Sequence, residues 1–153
     1  MYPPAKQNDA LKSVNHDLYW SKKVTAQRWR VRALRGATTV TENTKEAITK
    51  AVTELMSILE TQNQLDTDEI VSVTFSVTSD IDAMFPAAVA RHRLGWKDVP
   101  LLDVQHMKVK NSLPKCIRVL IHFNTPLPKD RLRHVYLEEA AKLRPDLAFS
   151  KPQ

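Results

Sequence analysis

Three arginines lie in unusual surroundings: Arg35 in Leu-Arg-Gly-Ala-Thr-Thr-Val, Arg118 in Lys-Cys-Ile-Arg-Val and Arg144 in Leu-Arg-Pro-Asp-Leu. A guanidinium is permanently charged and forks its donors in one plane, so arginine inside apolar, strand-like sequence has to face a partner. Arginines converging from separate segments suit a small, carboxylate-rich ligand. Neither a Gly-rich phosphate loop, a Cys/His metal spacing nor a nucleophile elbow accompanies them, and no cofactor or metal is expected. The lone cysteine, Cys116, reads as a buried small hydrophobe, and His134 as structural rather than a general base.

The elements that must position these side chains are legible from periodicity. Trp29 to Leu34 alternates as a strand that ends at Gly36. Asn43 and Glu46 are spaced as a capping box, and Ile48, Ala51, Val52, Leu55, Met56 and Leu59 follow at helical spacing. Ile70 to Val77 alternates as a half-buried strand. Pro86 opens a short helix over 86–94, carrying Arg91 and Arg93 and closed by Gly95. Val99 to Val104 is a short apolar run containing Asp103. Cys116 to Phe123 is the strongest strand, with Ile117, Val119, Ile121 and Phe123 on one face and Arg118, Leu120 and His122 on the other. Lys129 to Leu143 reads as a last helix, stopped by Arg144 and Pro145. This order predicts an α+β fold, a mixed or antiparallel sheet with helices packed on it.

The 153 residues make one domain's worth of chain, and the formal charge is +6. Residues 1–35 hold eight Lys/Arg against Asp9 and Asp17, whereas the remaining 118 residues hold 15 charges of each sign. Basicity therefore belongs to the leader, and the globular part lacks the basic stripe of a nucleic-acid footprint. We expect residues 1–28 to be a basic, weakly ordered extension, 29–147 the functional domain and 148–153 a flexible tail. With one cysteine and neither a signal-peptide nor a membrane-length apolar run, the cytoplasm is the expected location.

An ordered series of motifs carries a resemblance. Arg35-Gly36-Ala37-Thr38-Thr39-Val40, Phe85-Pro86-Ala87 with Arg91, Gly95-Trp96, Val99-Pro100, Lys115-Cys116-Ile117-Arg118-Val119, Arg133-His134-Val135-Tyr136-Leu137-Glu138 and Leu143-Arg144-Pro145-Asp146-Leu147 resemble the monofunctional chorismate mutases of the Bacillus type. The resemblance implies a homotrimeric pseudo α/β-barrel with active sites between subunits, and rearrangement of chorismate to prephenate on the route to phenylalanine and tyrosine. It further implies Arg118 as donor to the substrate's ether oxygen, Arg35 and Tyr136 as anchors of its side-chain carboxylate, and Phe85 as an apolar wall. Ala87, Arg91, Leu143 and Arg144 are the remaining implied substrate contacts.

The sequence departs from that pattern at three positions. His106 stands where the family usually has a glutamate, Asp103 where it commonly has a cysteine, and Ala88 where it has a lysine. The expectation for this pair is that Asp103 supplies the missing carboxylate from the same cleft and His106 hydrogen-bonds either Asp103 or the substrate's ring hydroxyl; the alternative has His106 facing solvent and Asp103 capping a turn. Three alternatives accompany the mutase reading: a weak or silent homologue that only binds chorismate or prephenate, a trimer resembling the enamine/imine deaminases, and nucleic-acid binding through the leader.

Overall fold

The computed structural model describes residues 28–148. In chain order these form β1 (Arg30–Thr39), α1 (Lys45–Asn63), β2 (Ile70–Val77), α2 (Pro86–Arg91), β3 (Leu101–Gln105), β4 (Cys116–Thr125) and β5 (Val135–Tyr136). The strands make one sheet in the order β3-β2-β4-β1-β5. β4 runs antiparallel to both neighbours, whereas β2 with β3 and β1 with β5 are parallel, so the sheet is mixed, as expected.

Alternation along β4 sets the layering. Ile117, Val119, Ile121 and Phe123 are buried and pack with Leu34, Val73 and Phe75 of the adjacent strands against Ile48, Val52, Leu55, Met56 and Leu59 of α1. Each fully buried aliphatic or aromatic side chain here contributes about 1.5–3 kcal/mol. The opposite face carries Arg118, Leu120 and His122.

Several local expectations need correction. β1 does not end at Gly36 but continues to Thr39, paired residue for residue with β4. Gly36 is a spacer: a Cβ there would lie 2.9 Å from both Leu59 Cδ1 and Val119 Cγ1, so its absence lets α1 rest directly on the sheet. The cap of α1 is Thr44, whose hydroxyl accepts from Ala47 N at 3.2 Å. Asn43 instead accepts from the backbone of Asp82 and Ala83, tying the turn after β2 to the helix start. α2 ends at Arg91, short of residue 94, and the chain then turns through Gly95 at φ +80°.

The largest departure is the last helix. In place of Lys129–Leu143 the chain forms 3-10 turns at Lys129–Arg131, Glu138–Leu143 and Pro145–Leu147, with β5 between the first two. Val135 and Tyr136 pair in parallel with Gly36 and Ala37, and Leu137 N donates to Ala37 O at 2.9 Å. A β-branched and an aromatic residue finding a free strand edge outweigh the helical spacing around them. Ala148, the first residue of the expected tail, bridges to Tyr136, while residues 149–153 and 1–27 of the expected extensions lie outside the described residues.

Candidate active site

The face of the sheet turned away from α1 is polar by register. Across β1 and β4, Ala37 sits opposite Arg118 and Arg35 opposite Leu120; across β2 and β4, Ser76 sits opposite Arg118 and Thr74 opposite Leu120. These residues border a cavity of about 490 Å³, completed by Tyr136, Leu143 and Arg144. Five residues singled out by sequence, Arg35, Arg118, Tyr136, Leu143 and Arg144, are therefore brought together.

Each is held by a different device. Arg118 is half-buried on β4, and its Nε is buried without a hydrogen-bond partner among the described residues. A buried donor on a cation without a partner is costly unless something enters the cavity to accept from it. Arg35 is fixed through its backbone: its N–H donates to His134 Nδ1 at 3.0 Å, so that nitrogen is an acceptor and the imidazole is neutral, its proton on Nε2. Burial, with Arg35 and Arg144 nearby, keeps His134 below the ordinary histidine range. Tyr136 is almost wholly buried on β5 beside Ala37 and Ala140. Arg144 is partly exposed and makes a two-pronged pair with Asp146, at 2.9 Å from Nε and 2.7 Å from Nη2. That pair holds the guanidinium at the cavity mouth and pulls the Asp146 carboxyl below its usual range.

The other expected site residues lie elsewhere in the subunit. Phe85 is 71% exposed and, with Asp103, borders a second cavity of about 310 Å³ between α2 and β3. Ala87 buries its methyl in the core, and its N–H donates to Asp103 Oδ1 at 3.0 Å. Burial raises the Asp103 carboxyl, opposed by that hydrogen bond and by the charge of Arg91, which stands exposed at the end of α2. His106 is half-buried and does not meet Asp103: its Nδ1 is 2.6 Å from Ser76 Oγ. A direct Asp103–His106 hydrogen bond, one of the two expected for His106, is not formed within the subunit, because residues three apart along an extended chain turn to opposite faces. Asp103 anchors α2 instead.

Cys116 is buried, and burial pushes its thiol up, so it is no nucleophile. Three further residues matter that the motifs did not reveal. Thr74 and Ser76 line the cavity, and the polar phase of the β2 alternation was their signal. Asn63, a polar residue at the end of the apolar stripe of α1, clamps the backbone of Arg133 by accepting from its N at 2.8 Å and donating to its O at 2.9 Å. This clamp delivers His134 and Tyr136 to β1.

The family model "Chorismate mutase type I" matches residues 31–147. The chain belongs to the type I chorismate mutase family. It is 49% identical over 118 residues to chorismate mutase AroH of Thermus thermophilus, covering 76% of this chain and 96% of that protein. It is 40% identical over 121 residues to chorismate mutase AroH of Bacillus subtilis (strain 168), covering 79% and 95%. A solved chorismate mutase from Clostridium thermocellum superposes with a TM-score of 0.70 at 42% identity, covering 72% of this chain and 98% of that one. The type I match spans the whole arginine cavity and does not favour the deaminase-like or binding-only readings.

Proposed function

We propose that this protein is an isomerase that converts chorismate to prephenate in the Arg35–Arg118–Tyr136 cavity. The observation that carries the site assignment is Arg118, half-buried on the open sheet face with a buried Nε that has no partner among the described residues, beside Arg35 over a cavity of about 490 Å³. Chorismate is a dianion that rearranges within itself, breaking a C–O bond while a C–C bond forms, and no nucleophile takes part. As the C–O bond stretches, the ether oxygen gains negative charge. A fixed cation aimed at that oxygen stabilises the transition state more than the substrate, and this difference lowers the barrier. Arg35 and Tyr136 anchor the side-chain carboxylate and hold the reacting carbons within reach of each other. Arg144 and Leu143 border the mouth.

The working assembly in this reading is a homotrimer with sites between subunits. Phe85, Arg91 and Asp103 lie on the α2–β3 edge, apart from the arginine cavity, and Leu102 and Val104 of the edge strand are exposed with Phe85. Docking that edge on a neighbour's open face would cover the apolar side chains and complete the cavity with an aromatic wall. Residues 29–147 form the mutase domain in this reading, with 1–28 a basic extension and 148–153 a tail. The product feeds phenylalanine and tyrosine synthesis in the cytoplasm. Among the described residues, no helix is long and apolar enough to cross a membrane.

Loss of chorismate absorbance with the purified full chain, with prephenate identified as product, tests the activity. Mixing two impaired variants, Arg118→Ala and Phe85→Asp, tests the assembly: mixed trimers are expected to turn over faster than either variant alone. No turnover by a cooperatively melting wild-type protein would overturn the mutase reading, and no recovery on mixing would overturn the shared site.

A further inference from the structure

Ser76 has no role in the reading above, yet it lines the arginine cavity directly opposite Arg118 in register. Its hydroxyl is 2.6 Å from His106 Nδ1. One proton lies between these two atoms, and its owner decides what the cavity sees. If the hydroxyl donates to a neutral ring, Ser76 offers the cavity only lone pairs, which repel a carboxylate. If Nδ1 carries the proton, the ring donates to Oγ and the hydroxyl hydrogen is free to point at a ligand.

His106 also has a buried Nε2 with no partner among the described residues, as does Arg118 at Nε. The two groups sense each other, since Arg118 disfavours a charge on His106. Other groups face the ring from every side. From β4 comes Arg118, and from β2 Ser76 and the Val77 carbonyl, which accepts from His106 N at 2.8 Å. Asp80, in the turn after β2, opposes Arg118, and Lys108 and Lys110 of the following loop share a cavity lining with Asp80 and His106. Asp103, the nearest carboxylate on its own strand, is turned away to Ala87. Burial and the Arg118 charge therefore both disfavour the charged form of the ring. A dianion in the cavity removes the second of these obstacles by neutralising Arg118.

We propose that Ser76 and His106 form a proton-linked clamp, in which binding of a dianion draws one proton from solvent onto His106 and turns the Ser76 hydroxyl into the cavity as an additional donor. His106 is a positioning residue that acts through Ser76, and Ser76 is the group that touches the ligand. The clamp rests on the mutase reading for the identity of the dianion.

Calorimetric titration of the full chain with prephenate at about pH 7.5, in two buffers of different ionisation enthalpy, counts protons taken up on binding. The wild type is expected to take up a measurable fraction of a proton. His106→Gln, which still hydrogen-bonds Ser76 but does not titrate, is expected to take up none. Ser76→Ala is expected to keep the uptake and bind prephenate more weakly. In turnover, KM for chorismate in the wild type is expected to rise with pH, at most about tenfold per pH unit, between the titration of the free histidine and that of the bound one, and to be flat in His106→Gln. Proton uptake that survives His106→Gln, or a wild type that binds prephenate without uptake, would overturn the clamp. Absence of chorismate turnover in a wild type whose uptake is still lost in His106→Gln would instead sink the mutase reading alone.

Discussion

The two faces of β4 differ by one residue along the chain and by everything in their chemistry. Ile117, Val119, Ile121 and Phe123 are roofed by α1 and belong to the core. Arg118, Leu120 and His122 face away, half-buried, with Ser76, Thr74, Ala37 and Arg35 at the register positions around the first two. The covered face is closed to change by packing, whereas the open face carries charge with spare hydrogen-bonding capacity. The same ladder of backbone hydrogen bonds holds both, so the packing on one face fixes the backbone from which the arginines extend on the other. Stability and chemistry are separable in this molecule at the level of a single strand.

Reversing the charge on the open face is expected to have the largest effect. Arg118→Glu should reduce chorismate loss to the no-enzyme rate, read by absorbance, because the cavity would then repel the dianion it must bind. On the covered face, Ile121→Ala should cost about 2–5 kcal/mol in denaturant unfolding and leave kcat nearly unchanged in the folded protein. Gly36→Ala sharpens the boundary between the faces. Its methyl points at Leu59 and Val119, so a loss of about 1–3 kcal/mol is expected from overpacking. The smallest effect is on pH. Burial leads in holding both His106 and His134 below the ordinary value of 6.5, so the unfolded chain binds more protons once the pH drops below that value. Stability of the ligand-free protein should therefore fall as pH decreases from 6.5 through the lower folded values, read as a declining melting temperature, and His134→Gln should flatten part of that slope.

Much of this separation was readable in the sequence because period-two alternation carries it. The Cys116 to Phe123 stretch announced both faces, and Ile70 to Val77 announced its own bounds. Arg35, Arg118 and Arg144 stand out by their apolar surroundings, Tyr136 and Leu143 by the motif resemblance, and the fold brings all five to one cavity. What escaped the sequence depends on contacts distant along the chain. Gly36 resembles a strand terminator until α1 lands on it, and Val135-Tyr136 resembles helix until β1 offers an edge. Asn63 draws no notice until its amide meets the backbone of Arg133, seventy positions later. A direct Asp103–His106 hydrogen bond is disfavoured for a local reason legible in the spacing, since residues three apart along an extended chain turn to opposite faces.

The most direct test of the account is to measure kcat for chorismate and the melting temperature side by side for Arg118→Ala and its neighbour Ile117→Ala. The account expects Arg118→Ala to lose about 10²–10³-fold in kcat, as for removal of one preorganised donor, with little change in melting. It expects Ile117→Ala to melt earlier while the folded protein keeps its kcat. Arg118→Ala with kcat within threefold of wild type, or both variants losing kcat in proportion to their stability, would contradict it.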